Sequence, residues 1–436
     1  MMDVPASRPA SVRAAALSAS AGLVLVVAAM VVPHFADTDV RVHWPPLHAW
    51  WGPRLGFETV IVGLVGLVLW WALPHLLARL PWGASVVATT AAAWVWTMTL
   101  ALYDGRYGLS RVFERKGEYV YDAQHVHDVP EMLRTFIDRI PYSAPDNWHV
   151  HVAGHPPGSF LFFVLLDRLG VTDPFWIAVI VVTLGTTGIA AVMLFLGLLG
   201  TRRLARTAAP WLVLAPMAVW TGVSADWMFA AVAAWGLLLL ALAGKRRSRL
   251  AAVAAGVVLG YCVYLSYGLV LLGIPALTVL FLVRSWRPLP WALAGAAVVT
   301  AIFSLYGFHW WEAYPVLRER YHDGIASERA YWYWVWADVA AWAFTAGLAV
   351  WAAFPRAWRA LRERNPLAVM AAAAGAAIVV ASLSGMSKAE VERIFLPFTL
   401  WIVALPALAP ARWRSPLLLT QVITAVLVQA FLITRW

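Results

Sequence analysis

Long apolar runs alternate with short polar or basic segments along nearly the whole chain. A helix that crosses a bilayer needs about 20 mostly apolar residues. This pattern predicts about 13 transmembrane helices, near residues 14–32, 57–77, 84–103, 174–199, 207–222, 226–243, 250–264, 266–283, 290–307, 336–354, 366–383, 394–409 and 416–433. The predicted fold class is an all-α polytopic membrane protein, with residues 1–436 forming a single transmembrane domain.

Two further helices are predicted outside the spans, in the long polar loop 104–173. The apolar run Gly158–Leu169 has only 12 residues, which is too short to cross, so we expect a helix at the membrane surface. From Val129 to Ile140, apolar residues recur at helical spacing. That second helix suits either the membrane surface or a position packed against the protein.

Basic residues predict the orientation. If the N-terminus is inside and Gly158–Leu169 does not cross, the inner segments are 1–13, 78–83, 200–206, 244–249, 284–289, 355–365 and 410–415. They hold 18 of the 33 Lys and Arg residues but only two acids, Asp3 and Glu363. Because cytoplasmic loops are rich in basic residues, we predict a cytoplasmic N-terminus and, after an odd number of spans, an outer C-terminus.

Composition excludes several classes of protein. With 62% hydrophobic and 13% charged residues, the chain departs strongly from soluble domains, where about 25% are charged. The net charge of +10 follows from topology and does not indicate nucleic-acid binding. The single cysteine, Cys262, excludes an intrachain disulfide. No predicted span has an acidic or basic residue near its midpoint, whereas ion-coupled transporters generally bind their ion at that depth.

Polar chemistry gathers on the predicted outer side. Ten of the 11 histidines lie there: His34, His43, His48, His125, His127, His149, His151, His155, His309 and His322. The pairs His125-x-His127 and His149-x-His151 have spacing that suits a metal, but histidine also suits a wet loop at headgroup level. The segment His155-Pro156-Pro157-Gly158 fits a simple loop-to-helix junction or an anion site at a helix N-terminus.

Carboxylates and cations accompany these histidines at the outer side. The carboxylates are Asp104, Glu118, Asp122, Asp226, Glu312 and Asp323, and the cations are Arg106, Lys388 and Arg393. Each one alone also fits a solvated loop charge. Glu390 and Glu392, beside Lys388 and Arg393, also fit mutual ion pairs.

The order of these motifs resembles the C-type (GT-C) membrane glycosyltransferases that use polyprenyl-phosphate sugars, most like the protein O-mannosyltransferase branch and its actinobacterial relatives. The matching features, in chain order, are Asp104 after a span, the loop 104–173, His155-Pro156-Pro157-Gly158, Ser224-Ala225-Asp226, Ser266-Tyr267-Gly268, and Lys388 to Arg393 before Ile394-Phe395-Leu396-Pro397. By this resemblance, two extra spans (14–77) precede a GT-C-like core at 84–409.

The resemblance implies inverting transfer of a sugar from a polyprenyl phosphate to an acceptor hydroxyl, at the outer face of the plasma membrane. Asp104 would be the general base, with Asp122 as the second candidate. Residues expected to hold the lipid phosphate are Arg106, His155, Lys388 and Arg393, and further outer-face candidates are Asp226, Tyr267, Glu390 and Glu392. No metal or other cofactor is implied. The expected partners are the donor, membrane lipid and a glycan, lipid or protein acceptor. The alternative is a non-enzymatic polytopic protein, either a lipid flippase or transporter or an assembly partner.

Overall fold

The chain folds almost entirely into helices. The computed structural model describes residues 12–222 and 224–434. Within that part, eight helices are long and apolar enough to cross a membrane, and a bent helix pair raises the number to nine if it is one span. Three shorter apolar helical segments accompany them: Arg249–Leu265, Tyr267–Val283 and Leu396–Leu408. The prediction of an all-α polytopic membrane protein is confirmed.

The segment after the first helix pairs with the end of the described chain. The elements are α1 (Val12–Phe35), β1 (Ala49–Trp51), α2 (Phe57–Arg79) and α3 (Trp82–Ala101). Strand β1 pairs antiparallel with β2 (Leu432–Thr434), which follows the last helix. The loop after α1 and the end of the described chain therefore lie at the same end of the bundle.

The long polar loop folds into short pieces packed on the bundle. They are a 3-10 helix (Leu102–Asp104), α4 (Gly105–Ser110), α5 (Tyr119–Ala123), α6 (Val129–Arg134), α7 (Val150–Ala153) and α8 (Pro157–Arg168). The prediction of a helix as far as Ile140 is wrong, because α6 ends at Arg134. The Ile140 carbonyl instead accepts from the Arg320 guanidinium. Phe136 and Ile140 are fully buried, so this segment packs against the protein.

Helix α8 confirms the short helix predicted at Gly158–Leu169. Its 12 residues rise about 18 Å, well short of the hydrocarbon thickness. Gly158 allows the first turn of α8 to pack closely against the helix that carries Tyr264, since a Cβ there would lie 2.5 Å from the Tyr264 carbonyl oxygen. The Tyr261 hydroxyl donates to the Gly158 carbonyl at 2.8 Å. Both contacts fix the segment that begins at His155.

In the described residues, the middle of the chain contains eight helices. They are α9 (Pro174–Leu199), α10 (Arg202–Leu214), α11 (Ala218–Thr221), α12 (Asp226–Arg246), α13 (Arg249–Leu265), a 3-10 helix (Tyr267–Leu272), α14 (Gly273–Val283) and α15 (Pro288–Leu305). Of the eight candidate spans in the described residues, α9 and α12 are the most buried. The single span predicted at 207–222 is wrong. It divides into α10 and α11 around Pro216, which cannot donate a helical hydrogen bond.

The last part contains two more broken spans. Its elements are α16 (Trp310–Asp323), α17 (Tyr331–Ala346), α18 (Leu348–Arg362), α19 (Pro366–Ser384), α20 (Val391–Ile394), α21 (Leu396–Ile402), a 3-10 helix (Leu405–Leu408) and α22 (Ala411–Phe431). The continuous span predicted at 336–354 is wrong, because α17 and α18 meet at 102°. The span predicted at 394–409 is likewise interrupted, with prolines at 397 and 406.

The bend between α17 and α18 is supported from α22. Gly347 has φ +76°, a conformation that favours glycine. Gln421 donates to the Ala346 carbonyl at 2.8 Å and accepts from the Ala349 N–H at 3.3 Å. Its amide therefore satisfies backbone groups that the broken helix leaves unpaired.

Several basic segments predicted to face the cytoplasm meet at one end of the bundle. Arg206 donates to the Leu80 carbonyl at 2.7 Å, and one cavity is lined by Lys245, Arg284 and Arg364. The side of the membrane that this end faces stays a prediction. Residues 1–11 of the predicted inner segment 1–13, and residues 435–436 of the predicted outer C-terminus, lie outside the described residues.

Candidate functional site

Arg393 lies at the centre of a buried cluster of charged side chains. Its Nη1 donates to Asp226 Oδ2 at 2.7 Å and its Nη2 to Glu390 Oε2 at 3.0 Å. The same Nη2 lies 3.1 Å from His151 Nε2. Burial alone would lower the pKa of Arg393, but Asp226, Glu390 and Glu118 outweigh burial and raise that pKa above its usual value. The guanidinium therefore stays charged.

The local sequence places both acidic partners of Arg393. Asp226 is the first residue of α12, where the helix dipole favours a carboxylate, and Ser224 Oγ donates to it at 3.0 Å. Ala389 and Glu390 have φ of +69° and +63°, so the chain reverses just before α20. Because α12 begins at Asp226 and has Lys245 in its last turn, the cluster and the basic segments lie at opposite ends of the bundle.

Two carboxylate–imidazole pairs adjoin the cluster. His151 Nδ1 lies 2.6 Å from Glu118 Oε1, and His149 Nδ1 lies 2.7 Å from Asp122 Oδ1. The His149 backbone N–H also donates to Asp122 Oδ2 at 3.2 Å. Glu118 immediately precedes α5, and Asp122 lies within it four residues later. In His149, whose Nδ1–H donates to Asp122, Nε2 is the nitrogen left to take a proton, whereas His151 Nε2 already lies beside Arg393.

His155 lies beside these pairs as a neutral group. Its Nδ1 donates to the His151 carbonyl at 2.8 Å, and its ring centroid is 5.7 Å from that of Tyr119. Burial lowers the pKa of His155 to about 4, although Asp226 acts in the opposite direction. His155 therefore offers Nε2 as a hydrogen-bond acceptor and contributes no positive charge at neutral pH.

Two residues of the cluster, His48 and Arg329, come from loops and were not singled out as site residues. Glu390 Oε1 lies 3.3 Å from His48 Nδ1 and 3.5 Å from Arg329 Nη2. Burial opposes ionisation of Glu390, but His48, Arg393 and Arg329 together lower its pKa. Glu118 and His151 were among the outer polar residues but were not chosen either. The four-residue spacing of Glu118 and Asp122 was the one usable signal.

Three of the predicted site residues have their contacts elsewhere. Asp104 accepts from Arg54 Nη1, and Arg54 Nη2 also donates to the Leu432 carbonyl at 2.9 Å. Arg106 is 64% exposed, with its nearest carboxylate on Asp173 at 3.4 Å. Lys388 Nζ donates to the Ala326 carbonyl at 3.0 Å. The structure thus brings together His155, Asp226, Glu390 and Arg393 but places Asp104, Arg106 and Lys388 in separate contacts.

Two further predicted site residues, Glu392 and Tyr267, have buried polar groups. Within the described residues, neither Glu392 Oε2 nor Tyr267 Oη has a hydrogen-bond partner. Burial, reinforced by Glu390, raises the pKa of Glu392 to about 7. Tyr267 lies among aromatic rings, 5.6 Å from that of Trp310 and 5.8 Å from that of Tyr314.

Three of the four histidines considered as metal ligands make other contacts. His125 Nδ1 donates to the Tyr121 carbonyl at 2.7 Å, while His149 and His151 each face one carboxylate. Over residues 12–222 and 224–434, no group of three or more His, Cys, Asp or Glu side chains is arranged to hold a metal ion.

Comparison with known proteins yields one structural similarity. No family model matches the chain, and no curated protein matches it. Among solved structures, the chain is similar to the crystal structure of ArnT from Cupriavidus metallidurans in the apo state. The two share 20% sequence identity, the match covers 75% of this chain, and the TM-score is 0.47. The chain spans 59% of the length of that protein.

Proposed function

We propose that the protein is a GT-C-type membrane glycosyltransferase that moves a sugar from a polyprenyl-phosphate donor to an acceptor hydroxyl, with inversion, at the outer face of the membrane. One observation carries the proposal. The segments around His151, Asp226 and Arg393, far apart in sequence, meet in one buried cluster. Buried charges are costly in a bundle that needs only apolar packing, and such clusters are typical of functional sites.

The acceptor hydroxyl needs a general base within hydrogen-bond reach. Asp122 suits this role through His149, because it fixes the ring and leaves Nε2 to take the proton. The His149 side chain is 38% exposed, so an acceptor can approach it. Asp104 is the second candidate base, although its carboxylate is already held by Arg54.

The departing lipid phosphate needs positive charge and hydrogen-bond donors. Arg393 is the leading candidate, because Asp226 and Glu390 keep its guanidinium charged and oriented. His155 is neutral and its Nδ1–H already donates to the His151 carbonyl, so its Nε2 would have to bind a proton before it could donate to the phosphate. Lys388 and Arg106 would first have to leave the Ala326 carbonyl and Asp173.

An apolar cavity of about 410 Å³ between α17, α18 and α19 suits the prenyl chain. Its walls include Trp342, Trp351 and Phe354. One turn beyond Trp342, the Thr345 hydroxyl donates to the Glu392 carbonyl at 3.5 Å. Trp342 therefore lies one helical turn from a residue that contacts the Glu392 backbone, which supports the Trp342 end of the cavity as the end nearer to Arg393.

The test is sugar transfer by the purified protein in nanodiscs, with a panel of hexose- and pentose-linked polyprenyl phosphates and glycan, lipid and peptide acceptors. We expect one donor to be consumed, with release of polyprenyl phosphate. Asp122→Asn should lower turnover by about 10²-fold or more, because the His149 ring would lose the carboxylate that fixes its orientation and tautomer. Asp138→Asn, an exposed change in the same loop, is the matched control.

The same assay separates the alternatives. A loss in Asp104→Asn with full activity in Asp122→Asn would move the base to Asp104. In proteoliposomes, donor translocation without any sugar transfer would indicate a lipid flippase and would overturn the proposal.

A further inference from the structure

A cavity with a basic rim lies between α2, α10 and α22, at the end of the bundle opposite the Arg393 cluster. It has a volume of about 640 Å³. Its polar rim carries three guanidinium groups, those of Arg203, Arg206 and Arg414. These residues belong to two segments predicted to face the cytoplasm, and that prediction puts the cavity at the inner boundary of the membrane.

Two of the three arginines are oriented by the protein without a counterion. Arg206 donates to the Leu80 carbonyl at 2.7 Å and to Ser85 Oγ at 3.2 Å. Arg414 Nε donates to the Ala409 carbonyl at 2.9 Å. Of the described residues that line the cavity, none is an aspartate or glutamate. Three cations thus converge on one cavity whose described walls supply no carboxylate.

The walls below the rim are apolar and aromatic. Trp70, Trp211 and Leu418 face the cavity, and Trp70 Nε1 donates to the Ser415 carbonyl at 2.9 Å. The lining residues of α2 run from Trp70 to Ala78, which is a depth of about 12 Å along the helix axis. A small soluble anion would leave this apolar depth unfilled, whereas a phospholipid has a phosphate for the rim and acyl chains for the walls.

We propose that this cavity binds the phosphate headgroup of an anionic phospholipid from the inner leaflet. Guanidinium groups bind phosphate oxygens through paired hydrogen bonds. Basic pockets between helices at the cytoplasmic boundary suit the headgroups of anionic lipids. The site is distinct from the cluster around Arg393 and does not depend on the transferase proposal.

The test is native mass spectrometry of the full-length protein in detergent, titrated with phosphatidylglycerol or phosphatidylcholine of the same acyl chains. We expect wild type to bind phosphatidylglycerol at least about tenfold more tightly. The double variant Arg203→Gln/Arg414→Gln should lose that preference. The control Arg202→Gln/Arg412→Gln removes the same charge from exposed neighbours and should keep it.

Several outcomes would overturn the proposal. Equal binding of the two lipids by wild type would overturn it. This comparison needs no variant, so it stays decisive even if a double variant fails to fold. Equal loss in both double variants would show general attraction to the basic face. Displacement of phosphatidylglycerol by inorganic phosphate or glycerol phosphate at similar concentration would show a soluble-phosphate site.

Discussion

Removal of Arg393 should destabilise the protein far more than removal of an exposed arginine. In Arg393→Ala, Asp226 and Glu390 would remain buried without the guanidinium that now lies 2.7 and 3.0 Å away. Breaking a buried pair in this way costs about 3–5 kcal/mol of unfolding free energy, because a buried charge is left uncompensated. The control Arg106→Ala removes an exposed pair with Asp173 and should cost at most about 1 kcal/mol.

Equilibrium unfolding in mixed micelles measures both variants, and a double-mutant cycle with Asp226→Ala isolates the pair. We expect Arg393→Ala/Asp226→Ala to be less destabilised than the sum of the single changes, with a coupling of about 0.5–3 kcal/mol. Arg393→Lys should be intermediate, since an ammonium cannot reproduce the planar fork that reaches both carboxylates. Additive effects, or a cost for Arg393→Ala no larger than that for Arg106→Ala, would refute this reasoning.

Three other predictions concern separate parts of the molecule. Because the pKa of Glu392 is raised from 4.5 to about 7, wild type should lose about 3 kcal/mol of unfolding free energy as pH rises through that interval. Glu392→Gln should therefore be more stable than wild type at pH 8 and equal to it at pH 4; equal stability at both would contradict the shift. Gly158→Ala should cost about 1–3 kcal/mol through overpacking against Tyr264, measured by thermal unfolding, and an unchanged midpoint would contradict the close contact. Reporter fusions after Arg203 and after Lys245 should both report cytoplasm, and an outside signal at either would mean that α8 crosses.

The apolar pattern predicted where the helices lie but not where they break. The predicted span 366–383 lies within α19, Pro366–Ser384, because one uninterrupted apolar run specifies one helix. The predicted span 336–354 breaks at Gly347. A break at that depth requires partners for the freed backbone groups, and Gln421 supplies them from a helix far along the chain. No local pattern reveals such a partner.

The sequence identified some residues of the site but not the contacts between them. Motif order pointed to Asp226 and Arg393, and the structure joins them directly. Their pairing through space was not readable, because 166 other residues separate them in the sequence. His48 and Arg329 reach Glu390 from loops that carry no motif, so sequence alone did not distinguish them from solvated loop residues.

The most direct test of the central claim is the anomeric configuration of the product. The purified protein in nanodiscs would receive a polyprenyl-phosphate sugar of defined anomer together with an acceptor, and proton NMR would follow the anomeric signals. The proposed mechanism predicts loss of the donor signal and growth of a glycoside signal of the opposite anomer. A donor that remains intact with every acceptor, or a product that retains the donor configuration, would contradict it.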